Sequence, residues 1–245
     1  MDHSDQDELK TIININKEYI FERMVLNMAT KKKTTTAAAE ETMVGLVIPP
    51  IETKTFTVKL VGDSSLIMHK WSEKAKKEML MKQMKQASTG KEAKDPWADY
   101  CDSMYWLTEK PDVPTEQDIE NARFGFPAKA FKACAIDAGY QQGIIPKKTT
   151  ARGAFHILGE MVEIEGHPQI REDMVRVGMG TADIRYRGEF PEWSVILTIK
   201  YNPRAMSAEQ IINLLNFGGF SNGIGEWRPE KDGEHGTFHV AVMDE

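Results

Sequence analysis

No run of apolar residues in this chain approaches the roughly 18 needed to cross a bilayer, and no signal peptide precedes the core. A soluble cytoplasmic protein with no membrane partner is therefore expected. Cysteine is scarce: Cys101 and Cys134 are the only two in 245 residues, far apart and without a CxxC. That excludes a disulfide framework and leaves two buried or idle thiols in a reducing compartment. Bulk positive charge is missing too, with 31 Lys and Arg against 37 Asp and Glu and a net charge of −6. Such a chain does not coat nucleic acid by overall electrostatics. Neither GxGxxG at a strand-to-helix turn nor GxxxxGK[ST] occurs, so nucleotide-binding folds of those types are not supported. A serine-centred elbow, a paired-carboxylate motif and a metal cluster are also missing, which favours a non-catalytic protein without a cofactor. His235 and His239 are four apart but straddle a loop and a strand, which is no zinc pair.

Hydrophobic residues make up 41% of the chain, enough for a sizeable core. Residues 1 to about 42 stand apart from it. The tract Lys31-Lys-Lys-Thr-Thr-Thr-Ala-Ala-Ala-Glu-Glu is polar and of low complexity, has nothing to bury, and is expected to stay solvated. Met28-Ala-Thr-Lys-Lys-Lys reads as a natural start, so Met28 is expected to be the initiator; a functional N-terminal arm is the competing reading. Residues 43–245 are expected to form one α+β domain.

Phe56, Val58 and Leu60 alternate with polar residues, as on a half-buried strand. Ser72 is expected to cap a lysine-rich helix to about Ala87, and Asp95-Pro96 to start a short one bearing Trp97 and Tyr100. Pro127 should open a third helix, Ala128 to Ala138, with Gly139 ending it. Ile157 to Glu165 reads as a strand with Leu158, Val162 and Ile164 on one face. Trp193, Val195, Leu197, Ile199 and Tyr201 mark the clearest strand. Ser207 and Gln210 form a capping box ahead of Ile211, Leu214, Leu215 and Phe217, and Phe238, Val240 and Val242 alternate at the end. Strand, helix, strand, strand, helix, strand is the order of the ferredoxin-like, or split βαβ, fold. Two insertions would decorate it: 63–126 after the first strand and 166–190 between the middle strands.

Three constellations stand out as candidate sites. Glycines 218, 219, 223, 225, 233 and 236 crowd a loop that also carries Trp227, Arg228 and Lys231. Its backbone either forms a nest for a phosphodiester or meets the needs of a long hairpin; both readings stand. Arg185 and Arg187 alternate along Asp183-Ile-Arg-Tyr-Arg and, with Arg171 and Arg176, either present guanidinium forks to phosphate or pair with Glu172, Asp173, Asp183 and Glu189. Lys70, Lys74, Lys77, Lys82 and Lys85 either track a nucleic-acid strand, with His69 and Trp71 stacking on bases, or form a solvated helix face.

The element order, with Gly223-Ile-Gly225 and Gly233-Glu-His-Gly236 between the last helix and strand, resembles the repeat-associated mysterious protein (RAMP) superfamily of CRISPR RNA-binding proteins. The resemblance implies that this loop helps to hold RNA backbone. Cleaving members often place a histidine after the first strand, roughly where His69 sits; a lone histidine is otherwise structural or at the surface. Gly-Ile-Gly-Glu-Trp-Arg-Pro-Glu followed by Gly-Thr-Phe also resembles uncharacterised proteins of tailed bacteriophages. The expected function is non-catalytic binding of RNA or single-stranded DNA by Gly223, Gly225, Trp227, Arg228, Gly233, Gly236, Arg176, Arg185, Arg187, Lys70, Lys74 and Lys77. The alternative is a phage structural or assembly protein that uses the same loops for contacts with its own copies or other phage proteins.

Overall fold

The computed structural model describes residues 48–71, 73–86, 93–177 and 180–241, the side chains of 74, 75 and 177 excepted. The expected tail, the Met28 start, the Ser72 cap, Val242 and the side chain of Lys74 lie outside the described residues. Backbone contacts divide the chain into Met1–Pro50 and Ile51–Glu245, and every described element belongs to the second unit.

The first strand, β1, spans Lys54–Gly62, and the eight-residue β9 spans Ser194–Tyr201. They pair antiparallel with Val58 opposite Leu197 and Leu60 opposite Val195. All four side chains are buried, while Lys59 and Ile196 face away from the core. This is the period-two pattern of a sheet with one dry face. The sheet continues through β10 (Phe238–Val240) beyond β1, and through β6 (Met161–Glu165), β4 (Phe124–Pro127) and β3 (Tyr105–Trp106) beyond β9. Its order is β10-β1-β9-β6-β4-β3, with β5 (Phe155–Ile157) also pairing β9, and each pairing is antiparallel.

Two 14-residue helices pack beside this sheet, α4 (Ala128–Gln141) and α6 (Ala208–Ser221). They are numbered after α1 (Glu73–Gln83), α2 (Pro96–Asp102) and α3 (Glu116–Asn121), with α5 (Lys148–Ala154) between them. Gly139 does not end its helix, contrary to expectation. It lies inside α4, where an added Cβ would come within 2.6 Å of Leu214, so its lack of a side chain lets α6 approach. Gly218 serves the same contact from α6, against the backbone of Ala135 at 2.9 Å. Phe131, Phe238 and Trp193 meet edge to face in the core between them.

The capping box forms as expected: Ser207 Oγ accepts from Gln210 N at 3.1 Å, and Gln210 Oε1 accepts from Ser207 N at 2.9 Å. Ser207→Ala is expected to cost about 1 kcal/mol in a urea denaturation, and a change within error would deny the cap any weight.

Other boundaries differ. The single strand expected at 157–165 is two, β5 and β6, because Gly159 turns the chain at φ +92; Leu158 is exposed. The insertions are not independent decorations. From the first, β3 and β4 extend the main sheet, and β2 (Leu66–Met68) leaves it. From the second, β7 (Gln169–Val177) and β8 (Thr181–Phe190) form a long hairpin. β2 pairs with β8, so the two insertions build a second sheet of order β2-β8-β7, with β7 at its edge.

Candidate nucleic-acid interface

The glycine-rich segment wraps onto β2. Gly218 and Gly219 belong to α6, so the loop proper begins at Asn222. Gly223, Gly225 and Gly236 take φ of +64, +80 and +71, which a side chain rarely adopts. Many of its amides are bonded within the fold. Ile224 N donates to Gly236 O, Glu226 N to Ile67 O, His235 N to Trp227 O and Gly236 N to Ser65 O, all at 2.8–3.0 Å. Gly233 N donates to Arg228 O, and the 3₁₀ turn Pro229–Lys231 closes the tip. An added Cβ on Gly225 would meet Ile67 O at 2.5 Å, and one on Gly233 would meet Trp227 O at 1.8 Å. Both contacts are with the protein's own backbone.

The arginines form a ladder rather than a fork. In the β7–β8 register Arg171 faces Arg187 and Asp173 faces Arg185, so all four stand on one face of the hairpin. Arg187, only 3% exposed, donates to Asp173 Oδ2 at 2.8 Å. Arg171 donates to Asp173 Oδ1 at 2.9 Å and Glu189 Oε1 at 3.0 Å, and the indole N–H of Trp227 reaches Asp173 Oδ2 at 3.4 Å. Burial pulls the Asp173 carboxyl up, but the bonds from Arg171 and Arg187 outweigh it and hold it below the usual range. Arg185 lies 3.5 Å from Asp183, which also takes Lys94. The expectation that Arg187 meets phosphate is corrected: it is sealed in an ion pair. Arg176 is exposed on the opposite face.

Beside the loop lies a cleft of about 510 Å³, lined by His69, Tyr105 and Phe126, the first turns of α4, residues 222–226, Arg228 and Glu230. Its fixed charges are Lys129 and Arg228 against Asp137, Glu226 and Glu230. Arg228 is held by Glu230 at 2.8 Å and donates to Gly225 O. His69 Nδ1 lies 3.3 Å from Glu226, and that bond holds the Glu226 carboxyl below its ordinary range. Burial raises the Tyr105 phenol, with the charge of Glu226 adding to the rise. The Cys134 thiol in the same wall is pushed up to about 12 by burial, and Cys101 elsewhere to about 11. A cleft whose carboxylates outnumber its fixed cations is a poor seat for a polyanion.

The lysine segment is different. Every described side chain of α1 is exposed except Met81, which is half-buried, and none enters the core. Lys77 and Lys82 project freely to solvent, Lys76 pairs with Glu73 at 2.5 Å, and Trp71 just ahead of the helix is 55% exposed. Lys70 is half-buried, and its backbone N–H is anchored to Ser103 O.

Among the described residues no three His, Cys, Asp or Glu side chains gather as a metal site requires, and no helix is long and apolar enough to cross a membrane. No protein-family profile matches the chain, and no curated protein does. A match exists to the crystal structure of Cmr6 from Pyrococcus furiosus, with a TM-score of 0.38 and 10% identity, covering 78% of this chain and 100% of that one.

Proposed function

We propose that the protein binds single-stranded nucleic acid, RNA or DNA, without cutting it, and that Trp71 with the lysines of α1 makes the contact. The observation that carries this reading is the exposure of that segment: an indole just ahead of a helix whose exposed cations the core does not use. Cations that follow a backbone, with an aromatic face for a base, are the two elements of sequence-tolerant strand binding. The internal bonding of the glycine loop and the arginine ladder moves the proposed contact away from Gly223, Gly225, Gly233, Gly236, Arg185 and Arg187. The reading also takes the core as a split βαβ arrangement of the RAMP type. Supporting it are the order β10-β1-β9-β6 and the two long helices, α4 before β6 and α6 before β10.

The test is fluorescence anisotropy with a labelled oligonucleotide over a salt series. Wild type should bind with steep salt dependence. Replacing Lys70, Lys77 and Lys82 by alanine should lower the slope of log K against log salt by about 2, at about 0.7 per lost contact. Trp71→Ala should cost about 1–3 kcal/mol of binding. Absence of salt-dependent binding by wild type overturns the proposal.

A second reading draws on Met79 and Leu80 of α1 and Met84 just after it, which are 43, 55 and 57% exposed. Exposed apolar side chains also suit an assembly contact, the phage structural role. A concentration-dependent oligomer that Leu80→Glu dissociates, together with no oligonucleotide binding, would favour it.

A further inference from the structure

Where α4, the end of α5 and β5 meet, four basic side chains gather that no sequence motif had joined. Lys132 Nζ donates to the backbone oxygen of Arg152 at 2.7 Å and lies 3.4 Å from His156 Nδ1. It also sits 5.4 Å from the centre of the Phe155 ring. His156 stands directly opposite Lys200 in the β5–β9 register, so both project from the same face. Arg152, His156 and Lys200 are exposed, and Lys132 is half-buried.

What marks the group is closeness without a counter-charge. Other cations brought close to the fold's surface have an acid beside them: Lys148 with Asp137 at 2.9 Å, Arg123 with Glu163 at 3.3 Å, Arg187 with Asp173 at 2.8 Å. No carboxylate among the described residues pairs with Lys132, Arg152, His156 or Lys200. Burial, with the charge of Arg152 behind it, lowers the Lys132 ammonium below its ordinary range. A protein of net charge −6 has acids to spare for such a group.

A second, separate observation lies next to Arg152. Gly153 sits within α5, its φ is not left-handed, and a Cβ there would meet nothing within 4 Å. The fold therefore gives no reason for a glycine, which costs a helix roughly 0.5–1 kcal/mol relative to alanine. Bare backbone beside an unpaired guanidinium lets an oxyanion come close.

We infer that Lys132, Arg152, His156 and Lys200 form a binding site for a phosphate group. The guanidinium and the ammonium donate charge-assisted hydrogen bonds to its oxygens, and Lys132 is pre-positioned by its bond to Arg152 O. The phosphate belongs either to a small phosphorylated molecule or to a nucleic-acid backbone. The site does not depend on the α1 reading.

Calorimetric titration with pyrophosphate and anisotropy with a single-stranded oligonucleotide distinguish the sources. Arg152→Ala and Lys200→Gln are surface changes that leave the core intact, and each should weaken binding about tenfold. Gly153→Leu should weaken it as well while leaving the thermal midpoint unchanged or higher. Pyrophosphate binding lost in these variants assigns a small ligand. Oligonucleotide binding weakened by them, without pyrophosphate binding, assigns a backbone phosphate. Lys77→Ala serves as the control: it affects strand binding through α1 and leaves pyrophosphate untouched. If wild type shows no pyrophosphate heat and the patch variants bind oligonucleotide as wild type does, or bind none because wild type binds none, the inference is overturned.

Discussion

An Asp173→Ala protein is expected to lose about 3–5 kcal/mol of stability, because the change leaves a buried guanidinium without its anion. Arg187 is 3% exposed, and its Nε already lacks a hydrogen-bond partner. Asp173 is also where Arg171 and the Trp227 indole converge. Replacing both members, Asp173→Leu with Arg187→Met, should recover most of the loss, since an apolar pair of similar volume carries no desolvation cost. Urea denaturation measures both, and a single-variant loss below about 1 kcal/mol would mean the pair is solvated. The ladder sets a pH limit as well. With its folded value depressed, Asp173 contributes fully above the ordinary aspartate range, about pH 4, and the contribution disappears as pH falls through the depressed value. Asp173→Asn should therefore be less stable at neutral pH and show a shallower acid limb than wild type.

Gly236→Ala is expected to cost about 3 kcal/mol or more. Its φ of +71 is one that a side chain occupies at a cost of about 1–2 kcal/mol. Its Cβ would lie 1.8 Å from Ile224 O, so backbone must move. The movement breaks the bonds from Ile224 N to Gly236 O and from Gly236 N to Ser65 O, each worth roughly 0.5–1.5 kcal/mol. The same variant tests the loop's purpose. If the glycines serve packing, binding to single strands survives at temperatures where the variant remains folded. Strand binding abolished in a folded Gly236→Ala protein would restore the nest reading.

The frame of the protein was legible where one residue's neighbours decide its state. Val58 and Leu60 on one strand and Val195 and Leu197 on another declare their faces by alternation alone. Ser207 and Gln210 declare a helix start through bonds three residues apart. The site was legible only as chemistry without geometry. Glycine in a sequence shows that the chain can turn or approach closely, and says nothing of whether a ligand or Ile67 O fills the space. Arg185 and Arg187 share a face as expected, yet the acid that seals Arg187 comes from β7, in a register that only the folded hairpin sets. Leu158 fell off its strand because one left-handed glycine outweighed a run of alternating residues. Lys132, Arg152, His156 and Lys200 come from four elements, and no window of sequence joins them. Pairing between β2 and β8 is equally a product of the whole fold: two segments that looked like separate additions bury Leu66, Ile67, Met68 and Phe190 together.

The position of β7 has a practical corollary. Nine residues of extended backbone have β8 on one flank and, among the described residues, no strand on the other. Ile170 and Met174 lie bare beside that flank, interrupted by Glu172 and Arg176. Such a seam is a template for fibrils, and the interspersed charges are its gatekeepers. Concentrated preparations will keep best well away from pH 5.6, where the chain's mean charge vanishes and copies no longer repel one another.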